Sequence, residues 1–340
     1  MVWNLSRAGA AVLASTLAAP ALAAGPEVGT EQAFRDWTAA CDNFLSCVAI
    51  GTQADGGAGG YVVLRRDAGA EAPVQVEIVA ISQDGPAGDA ALAVSARGLA
   101  ARTYPAARDG DYLTAAVPEA DTAALVAAML AGTDLALSVV GDASADAGPV
   151  SLRGATAALL WIDDRQGRVG TASALVRLGS APAATPALPE GIPINRVAIT
   201  ALDPVPPRPA GLSADAEGSC ADLPDLAFAL GGGATLWGLC DFAVAYNTGY
   251  RFWVVEASGS HPATFVIPGV DGDPAVLVNP SLNPDGSLGA LNLGRGLGDC
   301  GDGQDWAWTG EAFALLDWRR LDACAGVARD DWPYLYRARP

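Results

Sequence analysis

The sequence predicts a mainly β (α+β) protein of two disulfide-stapled antiparallel β-sandwich or meander domains with a few short helices. Three observations support this. Short apolar runs alternate like strands and are separated by turn residues along much of the chain. The composition is globular, because 51% of the residues are hydrophobic and 17% are charged. Six cysteines follow a secretory leader, and an oxidising compartment favours pairing them.

The N-terminus, Met1–Ala24, has the pattern of a secretory signal peptide. Arg7 is its charged residue, Ala8–Ala19 is a short apolar core, and Ala21-Leu22-Ala23 is an A-x-A cleavage site. The apolar run is too short to span a bilayer, and no later segment reaches spanning length. We therefore expect a periplasmic or secreted mature chain without a membrane span.

The stretch Phe34–Gly51 predicts a β-hairpin clasped by a Cys41–Cys47 disulfide. Asp42-Asn43 is turn chemistry, since both side chains can bond nearby backbone, and Trp37 belongs on the buried face. Six cysteines permit many connectivities, and nearest-neighbour pairing predicts Cys220–Cys240 and Cys300–Cys324 for the others. A metal site is the rival interpretation, but it lacks C-x-x-C spacing.

Residues 25–180 are predicted to form the N-terminal β-rich domain. Its helices are Pro118–Ala131, where apolar residues fall at helical spacing before Gly132, and Ala155–Asp163. The predicted strands are Tyr61–Arg65, Val74–Ile81, Ala91–Ala96, Tyr112–Ala116, Asp134–Val140 and Arg168–Arg177.

Residues 181–211 form a Pro-rich connection in which Ile192–Leu202 could dock as an edge strand. Residues 212–340 are the predicted C-terminal Trp-rich β domain. Asp222–Leu230 is a helix candidate that ends at Gly231, and Asn283-Pro284-Asp285-Gly286 is a strong turn. The predicted strands are Ala234–Leu239, Tyr250–Glu256, Ala263–Ile267, Ala275–Asn279, Ser287–Leu293, Trp306–Trp308 and Ala312–Trp318.

The net charge limits the classes of partner that this protein is expected to bind. There are 38 acidic and 20 basic residues, every basic residue is Arg, and the formal net charge is −18. Such a field repels nucleic acid and anionic lipid surfaces and attracts a cationic protein or peptide. The alternative explanation is solubility in a chain without Lys. No cofactor is indicated, because Gly231-Gly232-Gly233 lacks the G-K-[ST] of a phosphate loop.

Several distinctive motifs lie along the chain: Phe34, Trp37, Cys41, Asp42, Asn43 and Cys47; Leu159–Gly170; Cys240 with Ala245-Tyr246-Asn247; Gly294–Gly301; and Trp332-Pro333 with Tyr336-Arg337. Together they resemble the proteobacterial periplasmic family called domain of unknown function 1176. Strand Val74–Ile81 with Ala68-Gly69 fits that family more loosely. The resemblance implies a secreted, disulfide-bonded envelope protein without an assigned activity. The order of elements in the first half is also similar to that of invasion-associated locus B proteins, which implies a β-sandwich.

The segment Asp163-Asp164-Arg165-Gln166-Gly167-Arg168 is the first candidate site. Asp163, Asp164, Arg165 and Arg168 could form a polar recognition surface, or a structural ion-pair network at a helix end. We expect the Arg neighbours to lower the pKa of both carboxylates. A general acid needs a raised pKa, so this cluster is not predicted to be catalytic.

The acidic loop Gly298–Trp306 is the second candidate. Asp299, Asp302 and Asp305 could give oxygen ligands to calcium, although their spacing is not that of an EF-hand. We therefore predict no metal, with calcium as the minor alternative.

The aromatic residues of the second half are the third candidate. Trp306 and Trp308 alternate onto one face of a strand, opposite Phe313 and Trp318 across a hairpin through Thr309-Gly310. They could form a platform for sugar rings, or they could pack in the core.

The function predicted is a non-enzymatic envelope protein that binds a partner, such as a cationic protein or peptide. No catalytic residues are assigned, since His261 is the sole histidine, no G-x-S-x-G elbow exists and every Cys is expected in a disulfide. The alternative is a glycan (peptidoglycan)-directed binder or hydrolase that uses the Trp-rich half. The partner's identity and the oligomeric state stay open.

Overall fold

The computed structural model describes residues 28–82, 90–141, 147–213, 220–270, 274 and 276–339. It is mainly β, as predicted, with antiparallel sheets, three disulfides and two α-helices in these ranges. The predicted leader, Met1–Ala24, lies outside them. Within the described ranges, neither helix has the length and apolarity needed to cross a membrane.

The strands of the first half have these bounds: β1 Thr30–Phe34, β2 Trp37–Cys41, β3 Cys47–Gly51, β4 Gly60–Arg66, β5 Gln75–Ile81, β6 Ala90–Ala96, β7 Leu99–Asp109, β8 Tyr112–Ala116, β9 Asp134–Val139 and β10 Val150–Ser151. They pair in the order β1-β2-β3-β4-β5-β8-β7-β6-β9-β10. Strands β1 and β7 were not predicted from the sequence; β7 is largely exposed and therefore lacks the alternation that marks a half-buried strand.

The predicted hairpin at the start of this sheet is present. Cys41 and Cys47 face each other across β2 and β3 and form a disulfide. The Asp42 Oδ1 atom accepts hydrogen bonds from the amides of Phe44 and Ser46, at 2.8 and 2.9 Å, which builds the turn. Trp37 is buried, and its indole N–H donates to the carbonyl of Ser151 at 2.8 Å.

Both predicted helices of the first half are present, as α1 Glu119–Ala131 and α2 Ala155–Arg165. Their apolar faces add Leu125, Leu159 and neighbouring residues to the core of the first sheet. Helix α2 follows Gly154, which has φ 110° and lies against β1, where an added Cβ would be 1.8 Å from the carbonyl oxygen of Phe34. Only glycine fits there.

The strands of the second half have these bounds: β11 Thr200–Ala201, β12 Leu226–Gly231, β13 Ala234–Val244, β14 Asn247–Glu256, β15 Gly259–Pro262, β16 Phe265–Val266, β17 Leu277–Val278, β18 Ser281–Leu282, β19 Leu288–Leu293, β20 Gly301–Trp308, β21 Phe313–Leu321 and β22 Tyr334–Arg337. One sheet runs β11-β12-β13-β14-β15, with β17 beside β14. The other runs β16-β21-β20-β19-β18, with β22 beside β21. Aromatic rings join them, for example Phe252 with Phe265 at 6.1 Å. Cys220 bonds Cys240, and Cys300 bonds Cys324.

Several predicted elements differ from the structure; for example, Ala263–Ile267 has strand only at Phe265–Val266. The helix predicted at Asp222–Leu230 is wrong, because Leu226–Gly231 is a strand paired with β13. Its faces contact two separate core clusters, and an apolar run buried on both faces has no strand-like alternation. The predicted strand Arg168–Arg177 is wrong: it consists of turns with a single bridge from Thr171. Within Ile192–Leu202 only the two residues of β11 are strand.

The two halves of the described chain contact each other. Ile50 and Tyr61 from the first sheet pack with Leu321, Val327 and Trp332 in one buried cluster. The Tyr61 hydroxyl donates to the Asp331 carboxylate at 2.6 Å. The division into two domains joined by residues 181–211 stays a prediction, as does the similarity of the first to invasion-associated locus B proteins.

Candidate functional site

Asp163 is part of the scaffold of the first half. Its Oδ2 atom accepts hydrogen bonds from the amides of Leu175 and Val176, at 2.7 and 2.9 Å, and its Oδ1 atom lies 3.9 Å from Arg66. Burial raises the pKa of Asp163, and these partners offset that effect only in part. Arg66 and Arg168 do act to lower this pKa, but the predicted net lowering is wrong for Asp163, because desolvation outweighs them.

Arg168 is also buried. Its guanidinium donates to the backbone carbonyls of Asp67, Gly69 and Ala70, at 3.1, 2.5 and 2.9 Å, and so holds the turn before β5. With its N–H groups directed at backbone carbonyls inside the protein, Arg168 is not on a recognition surface.

Asp164 and Arg165, the other two candidates of this segment, are exposed. The Arg165 guanidinium lies 5.1 Å from the centre of the Trp161 ring. Asp163 and Arg168 therefore act inside the fold, while Asp164 and Arg165 lie on its surface, and the four do not form one binding surface.

Trp306 and Trp308 do not form the exposed platform for sugar rings that the sequence suggested. Trp306 is 0% exposed and Trp308 is 3% exposed. Their rings contact Phe265 and Phe313, at 5.2 and 5.0 Å between centres, inside the core of the second half. Neither indole has a face available to a sugar ring, so these residues follow the core-packing alternative, and the glycan hypothesis loses its platform.

The calcium candidates do not converge. Asp299 bonds the guanidinium of Arg295 and the amide of Gly326, and although burial acts to raise its pKa, these bonds lower it. Asp302 and Asp305 are three residues apart on β20 and so lie on opposite faces of the strand. In the described part of the chain, no three His, Cys, Asp or Glu side chains are arranged to hold a metal ion.

The structure brings together a different pair of carboxylates. Asp305 on β20 lies directly opposite Asp317 on β21. Both line a polar cleft of about 150 Å³. Gly289 on β19 leaves room for the cleft, since a Cβ there would be 3.2 Å from Asp305 Oδ1. Other lining residues are Ser281, Asn283, Gln304, Arg319, Arg329 and Trp332.

The cleft holds its two carboxylates without a cation bonded to them. Like charges directly opposite each other in a sheet are destabilising. Asp305 accepts a hydrogen bond from the Asn283 side chain at 2.5 Å. Arg319 also lines the cleft, and its charge lowers the pKa of Asp317 in part, but its guanidinium bonds the Tyr334 hydroxyl and lies 3.6 Å from Asp330. Among the described residues, neither Asp305 nor Asp317 makes an ion pair within 4 Å. We call Asp305, Asp317 and their surroundings the carboxyl cleft.

Protonation is one way to relieve this repulsion. Burial, followed by the charge of Asp305, raises the pKa of Asp317 to about 6. A bound cation is the other way, because it would neutralise both carboxylates at a pH where they are ionised. The cleft can therefore hold a proton below pH 6 and a positively charged group above it.

Comparison with known proteins identifies the family. A model described as "Protein of unknown function (DUF1176)" matches residues 31–339. The chain belongs to the DUF1176 family. It is 28% identical over 340 residues to "Uncharacterized protein YpfG" of Escherichia coli strain K12, with 91% of this chain and 93% of that protein covered. No solved structure matches the chain.

Two DUF1176 motifs from opposite ends of the chain are in contact. The Asn43 side chain donates to the carbonyl of Arg337 and accepts from its amide, at 2.9 and 2.8 Å. The Arg337 guanidinium donates to Asp42 Oδ2 at 2.6 Å. The N-terminal signature therefore fixes the C-terminal strand β22 against the first sheet, which gives this pair of motifs a structural role.

Two further DUF1176 motifs meet in the second half. The Asn247 side chain donates to the carbonyl of Leu293 at 2.9 Å and accepts from its amide at 3.0 Å. Tyr246 donates to the carbonyl of Gly294 at 3.1 Å. Gly301 has φ 136°, and a Cβ there would be 2.0 Å from the carbonyl oxygen of Asn292. These contacts hold the loop before β20.

Proposed function

We propose that this DUF1176 protein is a secreted or periplasmic envelope protein that acts by binding a cationic protein or peptide, and that the carboxyl cleft receives a basic side chain of that partner. The observation that carries the proposal is the pair of opposed carboxylates, Asp305 and Asp317, in an open cleft without an internal ion pair among the described residues.

The distribution of arginines supports the proposal. Ion pairs inside the molecule already engage many of them, for example Arg208 with Asp225 and Arg251 with Asp241, at 2.6 and 2.9 Å. Because each such pair also neutralises a carboxylate, the excess of acidic residues, 38 against 20 basic ones, is not reduced by them. A surplus of this kind raises the rate at which a cationic partner associates, and salt weakens the effect.

The compartment supports it too. Three disulfides in a β-rich chain are compatible with an extracytoplasmic location, where they form and persist. The more specific location, periplasmic or secreted, is proposed from the signal peptide predicted at Met1–Ala24.

Calorimetric titration with tri-arginine amide at pH 8 tests the proposal. We expect binding at low salt and a weaker affinity at high salt, because salt screens the attraction. Asp305→Asn should weaken binding about tenfold, in line with the loss of a hydrogen bond to a charged group. Gly289→Ala should weaken it without a change of charge, since the added methyl group narrows the cleft.

Asp164→Asn is the matched control, because it removes the same charge from an exposed position outside the cleft. If Asp164→Asn weakens binding as much as Asp305→Asn, the cleft is not the site. If no binding is detected even at low salt, the proposed function is wrong.

A further inference from the structure

A second cavity, of about 350 Å³, adjoins the carboxyl cleft. Asp317 is the lining residue that both share, so the two spaces lie next to each other at this position. The lining residues of the second cavity include the apolar residues Ile192, Ile194, Leu316 and Ala338. We call it the apolar cavity.

The Pro-rich connection builds one wall of the apolar cavity. The Ile192 amide donates to the carbonyl of Ala338 at 2.7 Å, and the Val197 amide donates to the carbonyl of Trp308 at 2.8 Å. These bonds fasten the segment at both ends of the wall. The intervening Ile194 packs against the core of the second half while it also lines the cavity.

Most of the positive charge at the rim of the apolar cavity is already neutralised. Arg196 bonds Asp285 at 2.6 Å, and Arg337 bonds Asp42 at 2.6 Å. Arg339 is exposed at the edge. On the side of the carboxyl cleft, Asp317 and Asp305 are without an ion pair among the described residues. Arg319, Arg329 and Asp330 also line the carboxyl cleft, so its lining residues carry three carboxylates and two guanidiniums. A ligand that spans both spaces therefore meets a net negative charge at one end and apolar residues at the other.

We propose that the two cavities are adjoining subsites for a cationic peptide in which an apolar residue neighbours a basic one. The basic side chain lies between Asp305 and Asp317, and the apolar side chain packs on Ile192, Ile194 and Leu316. This inference rests on the proposed function and adds the class of peptide. Charge complementarity selects the basic residue, and the apolar wall selects its neighbour.

Two amidated peptides of equal charge test the inference by calorimetry at pH 8: Gly-Arg-Leu-Arg-Gly and Gly-Arg-Gly-Arg-Gly. We expect the leucine peptide to bind at least tenfold more tightly, because a leucine side chain buries a large apolar area. Ile194→Ser should remove most of this difference and leave the binding of the glycine peptide unchanged. Ile192→Ser provides a second variant, and thermal melts check that both are folded.

The outcomes separate the two proposals. If neither peptide binds, the proposed function is wrong and the inference fails with it. If both bind equally and Ile194→Ser and Ile192→Ser change nothing, the inference is overturned while the proposed function stands. Binding of decanoate in the apolar cavity, with no preference for the leucine peptide, would also overturn it, because the cavity would then be a site for anionic amphiphiles.

Discussion

Asp163 and Asp317 are both carboxylates partly or wholly withdrawn from water, but of the two only Asp163 accepts backbone hydrogen bonds, through Oδ2, while its Oδ1 atom accepts none. Asp163 accepts two backbone amides and lies near Arg66. Asp317 lies between Asp305 on β20 and Arg337 on β22, beside an open cleft, and Arg337 bonds Asp42 instead. The comparison teaches that a carboxylate with internal donors belongs to the scaffold, whereas one that faces a like charge beside open space is available to an external cation.

We expect the largest loss of stability when the buried hydrogen bonds of Arg168 are removed. Arg168→Met should lower the free energy of unfolding by about 3–5 kcal/mol, because it removes the buried guanidinium that donates to the carbonyls of Asp67, Gly69 and Ala70. Urea unfolding measures the change. Arg165→Met, on the surface of the same segment, should change stability by less than about 1 kcal/mol. Equal losses for the two variants would contradict the distinction drawn between Arg168 and Arg165.

Glu31 is a third carboxylate to compare with Asp163 and Asp317, and it lies where the two halves of the chain are in contact. Glu31 on β1 accepts the amide of Asp322 at 3.1 Å, and its other oxygen is 3.8 Å from Arg320 and makes no hydrogen bond. Burial, only partly offset by the Asp322 amide, raises the pKa of Glu31 to about 7. The folded protein is therefore more stable when Glu31 is protonated and neutral.

Glu31→Gln should stabilise the protein at high pH. A raised pKa means that the contribution of Glu31 is fully present below its ordinary value and is lost as the pH rises through about 7. The variant should match the parent near pH 4 and exceed it by about 2 kcal/mol at pH 8. Urea unfolding across that range measures the difference. A constant difference at all pH values would show that the titration of Glu31 is not its cause.

Asp317→Asn should have a smaller effect of the same sign. The pKa of about 6 means that the parent loses stability as the pH rises through 6, and the variant does not. We expect a gain of about 1 kcal/mol at pH 8, since the open cleft lets solvent screen the repulsion, and no gain near pH 4. Thermal melts at the two pH values measure it. A loss of stability at pH 8 would mean that Asp317 serves the scaffold, as Asp163 does.

Much of the fold was predictable because local patterns decide it. The hairpin follows from Asp42, a residue that favours turns, between two runs of strand-forming residues. Helix α1 follows from Leu125 and Met129, which lie at helical spacing before Gly132. Leu226–Gly231 was mistaken for a helix because both of its faces are covered. That coverage depends on distant parts of the chain.

The carboxyl cleft was not predictable for a reason of register. A regular hairpin through Thr309-Gly310 that pairs Trp308 with Phe313 would place Asp305 opposite Leu316. A β-bulge between Asp305 and Trp306 shifts the pairing by one residue, so that Asp317 comes opposite instead. Both aspartates are visible in the sequence of the hairpin. The bulge that places them opposite each other depends on the folded sheet and could not be predicted from that sequence.

The smallest effect is expected at the residue next to Asp163. Asp164 is exposed, and Asp164→Asn should change the free energy of unfolding by less than about 0.5 kcal/mol. Asp163→Ala, by contrast, leaves the amides of Leu175 and Val176 without an acceptor and should cost about 2–4 kcal/mol. Urea unfolding of the two single variants measures the contrast. Similar losses would show that adjacent carboxylates share one network, whereas a loss confined to Asp163 would show that position on the helix, not charge, sets their roles.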